Sequence, residues 1–335
     1  LDDEEEDQPY AEFWMGSHVS GPSFIVLDGS EQRVTLKSWL LENPNVLGPK
    51  VVEKWGGDLP FLFKVLSVDK ALSIQAHPDK NLARTLLKLH PDVYKDGNHK
   101  PEMALAGTEF KVLCGLVTLK ELKAVLTVPE VVELVGVENV NLVLQITDED
   151  GEEKVKAILQ SLFTDVMSES KESVTGAVDK LRNRLHKESQ LTDKEQLVLW
   201  LEKQYPSDVG VIAAFFLNHV KLAPDEALFL GANEPHAYIY GECIACKATS
   251  DNVVRAGLTP KHRDVQTLCS MLTYKQIDCC ILPQGETVVF PAVPGYTITE
   301  GDVLFVAANT EITVTSASRL HLFRTGVNST FFQAS

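Results

Sequence analysis

The sequence predicts a mainly β protein, a sandwich or jelly roll, interrupted by one helical segment. Three observations carry that reading. Short apolar runs broken by Gly and Pro fill the chain from Tyr10 to about residue 115 and return after Pro206. Between them, from Thr118 onward, apolar residues recur at helical spacing behind hydroxyl-x-x-Glu start signals. No apolar run reaches the roughly 18 residues of a membrane span, so no membrane partner is expected.

The elements follow in order. The chain opens Leu1-Asp2-Asp3-Glu4-Glu5-Glu6-Asp7, the opposite of a basic stretch followed by an apolar one, and reads as a solvated tail without an export signal. Phe24-Ile25-Val26-Leu27 is strand-like, and Asp28-Gly29 behind it is a hairpin signal. Phe61 to His77 reads as two strands either side of Ser67-Val68-Asp69-Lys70, stopped by Pro78, with a short helix from Asn81 to His90. Asp96-Gly97 makes another turn before Lys100-Pro101-Glu102.

Thr118-x-x-Glu121 and Thr127-x-x-Glu130 both have the capping-box form. Val155, Ile158, Leu159, Leu162, Phe163 and Val166 make one helical stripe, and Val174, Val178, Leu181 and Leu185 a second. Thr192-x-x-Glu195 starts a further helix running to Tyr205-Pro206. The helical insertion is therefore placed at 116–206. The β pattern is expected to resume directly, with strand–turn–strand over 221–230 and short strands from Met271 to the end.

Charge narrows the partners. Acidic residues outnumber basic ones by 47 to 31, the formal net charge is −16, and no Lys/Arg block offers a phosphate-tracking stripe, which excludes a nucleic-acid partner. An anionic small molecule stays allowed if its cations are local. The six Cys are scattered and read as reduced thiols in a cytoplasmic protein. Cys243-x-x-Cys246 with Cys279-Cys280 fits no common zinc module.

Chemistry concentrates in Leu72-Ser73-Ile74-Gln75-Ala76-His77-Pro78-Asp79-Lys80. As a strand it turns Ser73, Gln75 and His77 to one face. An amide oxygen and an imidazole nitrogen then converge, offering two ligands to a metal. Glu102 adds a carboxylate and His236, aimed by the Gly and Pro around it, a second imidazole. That set suits a divalent ion such as Zn²⁺ and leaves it net positive, as a Lewis acid needs. His77, Glu102 and His236 also form the 2-His-1-carboxylate set of an iron dioxygenase, but Gln75 and the nearby cations then have no role. Those cations are Lys64, inside an apolar run, Lys100 and Arg255. Beside a metal they would attract a phosphorylated small molecule despite the global charge.

Five segments resemble the type I mannose-6-phosphate isomerases (phosphomannose isomerases) of the cupin superfamily. They are Tyr10-Ala11-Glu12-Phe13-Trp14-Met15-Gly16, Ser73 through Lys80, Asn98-His99-Lys100-Pro101-Glu102-Met103, Asn233-Glu234-Pro235-His236-Ala237-Tyr238, and Ser250 through Lys261. The resemblance implies a cupin-type jelly-roll catalytic domain in two parts, 1–115 and 207–270, an α-helical domain at 116–206 and a shortened C-terminal jelly-roll domain at 271–335. It implies that Gln75, His77, Glu102 and His236 hold one zinc ion per chain, that Arg255 is catalytic, and that Lys64, Ser73, Lys100 and Asp251 line a sugar-phosphate pocket. Lys100, beside a metal and other cations, is also the expected proton shuttle.

The implied reaction interconverts mannose 6-phosphate and fructose 6-phosphate through an enediol(ate), supplying GDP-mannose synthesis in the cytoplasm from a monomer. One departure bears on it. Where the family reads Glu-Cys-Met-Ala, this chain has Ala245-Cys246-Lys247-Ala248, trading a carboxylate for a methyl and a thioether for a cation. The alternative is a catalytically weak homologue that binds or senses sugar phosphates.

Overall fold

The computed structural model describes residues 10–26, 33–276 and 280–282. Its strands are β1 (Glu12–Met15), β2 (Phe24–Val26), β3 (Arg33–Thr35), β4 (Phe61–Val68), β5 (Ile74–Ala76), β6 (Glu102–Ala106), β7 (Phe110–Leu116), β8 (Leu217–Leu222), β9 (Ala227–Leu230), β10 (His236–Ala248), β11 (Val254–Gly257) and β12 (Cys280–Leu282). β2 and β3 pair as the expected hairpin, although Asp28-Gly29 itself lies outside the described residues.

β10 organises the sandwich because it belongs to both sheets. Its C-terminal part pairs with β4 and β6, giving the order β1-β4-β10-β6-β9-β12. Its N-terminal part pairs with β5 and β7, which carry β11 and β8 on their far sides. The strand bends at Gly241, where φ is +104° and an added Cβ would lie 2.2 Å from the Glu109 carbonyl oxygen. No side chain fits that corner. Leu66, Val68, Ala104, Phe110, Val112, Leu228, Leu230, Tyr238 and Ala245 pack between the sheets.

The helices are α1 (Leu36–Glu42), α2 (Pro49–Trp55), α3 (Lys80–Leu89), α4 (Leu119–Val125), α5 (Pro129–Val135), α6 (Val137–Gln145), α7 (Glu152–Ser168), α8 (Lys171–Leu185), α9 (Asp193–Gln204), α10 (Val209–Ala213) and α11 (Val265–Met271). The stripe residues of α7 and α8 are buried apart from Ile158, which packs at the edge. The capping boxes at Thr118/Glu121 and Thr192/Glu195 form as the sequence predicts.

The one at Thr127/Glu130 does not. Pro129 occupies the first helical position, Val128 becomes the N-cap, and Thr127 Oγ1 donates back to the Ala124 carbonyl at 2.7 Å. Glu130 instead takes a two-pronged contact from Arg184, at 2.9 and 2.8 Å. Strand structure also resumes later than expected. Residues 209–216 are helical, and β8 begins at Leu217.

One apolar core runs from Leu159, Phe163 and Leu181 in the helices to Ile74, Ala76, Val254 and Ala256 in β5 and β11. The helical segment thus buttresses the outer side of the sheet whose inner side carries Gln75 and Arg255. Among the described residues no helix is long and apolar enough to cross a membrane. Most of the C-terminal jelly roll expected at 271–335 lies outside the described residues.

Candidate active site

Cross-strand register assembles the site. Gln75 on β5 lies opposite His236 on β10 and, on its other side, opposite Arg255 on β11. Glu102 on β6 lies opposite Lys247 on β10 and Leu230 on β9. His77 follows β5 directly, so the bent β10 brings the two rows to one end of the sandwich. Side chains directly opposite in adjacent strands sit within contact of each other, which is why residues far apart in sequence meet here.

His77, Glu102 and His236 form a fully enclosed cluster whose ligand atoms all lie within 4.8 Å of one another. His77 Nδ1 donates to the Asn252 carbonyl at 2.8 Å, and His236 Nδ1 to the Glu234 carbonyl at 3.1 Å. Both hydrogen bonds hold the imidazoles in the tautomer that leaves Nε2 with a lone pair. Burial pushes the His77 imidazole below its ordinary range, outweighing the pull of Glu102. Burial, and then the neighbouring His77, push His236 down to about 3.

The Nε2 of neutral His77 therefore faces Glu102 Oε1 at 3.0 Å, and neither atom has a hydrogen-bond partner. A lone pair and a carboxylate oxygen at that distance repel unless a cation lies between them. The donor set of two imidazoles and one carboxylate is the kind that binds zinc with an open position. The residues present fit the ion.

Gln75 reaches the cluster through its amide end, with Nε2 3.4 Å from His236 Nε2, while its Oε1 accepts from Ser73 Oγ at 3.1 Å. Tyr238, two residues along β10 from His236, donates its hydroxyl to Glu102 Oε2 at 3.0 Å. Lys247 Nζ stands 2.9 Å from Glu102 Oε1. Burial alone would raise the Glu102 carboxyl, but Lys247 first, and Lys100 with it, hold it well below the usual range. It is a carboxylate.

The predicted cations divide into two kinds. Lys64 is buried and committed, with Nζ 2.9 Å from Glu12 Oε2 and 3.7 Å above the Trp14 ring. Lys100 and Arg255 have no side-chain hydrogen bond or ion pair among the described residues, and both are half-buried. Burial, reinforced by Lys247, brings the Lys100 ammonium down to about 8. Burial likewise lowers Arg255. Asp251 is exposed, 3.3 Å from His18 Nε2, and its backbone N–H is held by Asp96 at 2.8 Å.

Asp251 and Arg255 open onto a polar cavity of about 280 Å³, with Lys261 and His262 on its wall. A larger hollow of about 690 Å³ between α7 and α11 is apolar and lined by no cation, so it is not part of this chemistry. Cys243 and Cys246 fall on opposite faces of β10, one in the sandwich core and one against the Leu36–Leu40 cluster, and cannot share a metal.

The parts played by Glu12, Tyr238 and the Asn252 and Glu234 carbonyls were not legible in the sequence. Tyr238 had a local signal, lying two residues from His236 on the same strand face. The carbonyls had none, since any residue supplies one.

The comparisons decide the family. The phosphomannose isomerase type I catalytic domain matches residues 2–119, and the helical insertion domain of the same family matches 134–217. Mannose-6-phosphate isomerase 1 of Arabidopsis thaliana is 53% identical over 97% of this chain and 86% of its own. The chain belongs to the type I phosphomannose isomerase family. Within that family, the Homo sapiens mannose-6-phosphate isomerase is 44% identical over 89% of this chain and 74% of its own. A solved, zinc-bound mannose 6-phosphate isomerase superposes with a TM-score of 0.70 at 32% identity, covering 86% of this chain and 71% of that one. A variant of phosphomannose isomerase from Salmonella typhimurium gives 0.71 at 32%, over 87% and 71%. The cupin-type jelly roll with a helical insertion, expected from the type I phosphomannose isomerase resemblance, is the fold observed.

Proposed function

We propose that this chain is a zinc-dependent aldose–ketose isomerase that interconverts mannose 6-phosphate and fructose 6-phosphate. The observation that carries the reading is the buried His77, Glu102 and His236 cluster, whose lone pairs face one another beside two uncommitted cations. Relatives named mannose-6-phosphate isomerase along nearly the whole chain support it.

In this reading His77, Glu102, His236 and Gln75 hold one zinc ion. When bound, the ion supplies a Lewis acid that stabilises negative charge on the substrate's oxygens. The chain's own residues do the rest. Arg255, beside Gln75 in the sheet, places its guanidinium over the same region and stabilises the enediolate as it forms. Lys100, with its ammonium near 8, can give and take a proton close to neutrality and is the assigned proton shuttle. Ser73 donates to Gln75 Oε1, the atom that would ligate the ion, Asp251 lies at the cavity rim, and Lys64, its charge offset by Glu12, lines the pocket as half of an ion pair. All of these groups come from one chain, so a monomer acting on a small molecule suffices, and a cytoplasmic sugar phosphate is the substrate class.

A coupled assay of mannose 6-phosphate conversion, with and without a chelator, tests the proposal. Turnover that stops with chelator and returns with zinc is expected. A folded protein carrying one zinc per chain that turns over neither sugar phosphate would overturn it in favour of a sugar-phosphate binder.

A further inference from the structure

Lys247 places a cation inside a metal centre. Its side chain is 8% exposed, it faces Glu102 across the β6–β10 ladder, and Nζ lies 2.9 Å from Oε1 of a fully buried carboxylate. That same oxygen is the one 3.0 Å from the His77 lone pair. The contact is an ion pair by proximity, since Oε1 remains without an aligned hydrogen bond. The inward residues of β10 beside it are Cys243 and Ala245, and Ala245 sits opposite Lys64 in the register. Neither offers a negative charge. Among the described residues Glu102 is the one ion-pair partner of Lys247, with the Tyr238 ring 5.6 Å away and Glu12 attracting it beyond ion-pair range.

Glu102 therefore has two claimants. Without metal, the ammonium is the contacting charge that offsets a fully buried carboxylate. With metal, the same ammonium stands beside an oxygen already shared with a dication, and like charges at that range repel. Resting on the zinc reading above, we propose that Lys247 is a resident counter-ion for Glu102 that competes with the metal. It keeps the sandwich folded in the zinc-free state and weakens zinc binding. It is a positioning residue, acting through Glu102 rather than on substrate.

The test compares the wild type with Lys247→Met and Lys247→Gln. Zinc dissociation constants are measured by competition with a chromophoric chelator, and thermal unfolding is followed with and without zinc. Both variants are expected to bind zinc roughly tenfold more tightly, the scale on which groups contacting a ligand shift metal affinity. The interval between zinc-loaded and zinc-free unfolding temperatures should widen, because the zinc-free form has lost its counter-ion. Lys247→Gln keeps a polar group beside Glu102, so it reports even where Lys247→Met does not fold without zinc. Equal dissociation constants for wild type and Lys247→Gln, at one zinc per chain, would overturn the proposal and leave the metal reading standing. No zinc bound by any of the three would overturn both.

Discussion

The helical segment and the end of the sandwich where β5, β6 and β10 meet bury their side chains by opposite rules. In α7 and α8 the buried residues are Val155, Leu159, Leu162, Phe163, Val174, Val178 and Leu181, and the charges stay at the surface or in pairs such as Arg184–Glu130. At the sandwich end the buried groups are His77, Glu102, His236, Lys247 and Lys64, and two polar atoms there have no hydrogen-bond partner. The first region is stabilised by what it buries. The second is held in an electrostatically unfavourable arrangement by the rest of the fold, as sites built to receive a ligand commonly are.

Substitutions on either side sharpen that contrast. The largest effect is expected from His77→Ala or His236→Ala, each removing one of the proposed ligands from an enclosed site. Zinc content by metal analysis and turnover should both fall to background, whereas full isomerisation without metal would misplace the site. Next comes Phe163→Ala, which empties a fully buried position that packs edge-on against Phe216 at 6.1 Å between centroids. A loss of about 3–5 kcal/mol in denaturant unfolding is expected, with zinc stoichiometry and kcat unchanged below the transition. Altered zinc binding would show that the helical core and the site are coupled.

Arg255→Ala should do the reverse. Stability and zinc content stay near wild type because the guanidinium has no partner among the described residues, while kcat falls by about 10²–10³-fold. Normal turnover would remove Arg255 from the mechanism.

His219, on β8 at the border with α9, gives a pH test independent of the metal ligands. Burial first, and then Lys221, push its imidazole down to about 4, and its Nε2 has no hydrogen-bond partner. The unfolded chain takes up this proton near pH 6.5, but the folded chain resists until about 4. Stability is therefore unaffected above 6.5 and lost as pH falls through that window, by about 2 kcal/mol between pH 7 and pH 5. His219→Gln should remove that share of the acid loss in urea titrations at the two pH values, and an unchanged slope would assign the loss elsewhere. The smallest expected effect is Thr118→Ala, which deletes a formed capping box and should cost about 1 kcal/mol by the same measurement.

The cluster of His77, Glu102 and His236 was legible because these residue types are the ones that can hold a metal. Arg255 was legible as a cation among apolar residues and Lys100 by its place two residues before Glu102, but neither as an uncommitted one. Lys64 read the same way, and it is tied to Glu12 by the β1–β4 pairing. Thr127-x-x-Glu130 read as a capping box because the spacing matched. Pro129 and the distant Arg184 drew both residues into other contacts.

By itself the sequence determined what depends on neighbours along the chain. It placed the hydrophobic stripes of α7 and α8, the caps at Thr118 and Thr192, the β5 alternation that sends Gln75 and His77 to the site, and the residue types of the metal set. Helical and strand periods are set by local backbone geometry, so a local reading recovers them. Only the tertiary structure decided what β10 does. Its bend at Gly241 lets one strand join two sheets, so that His236 meets Gln75 and Lys247 meets Glu102. Register between strands is fixed by packing across the whole sandwich, and the charge balance at Glu102 follows from that register.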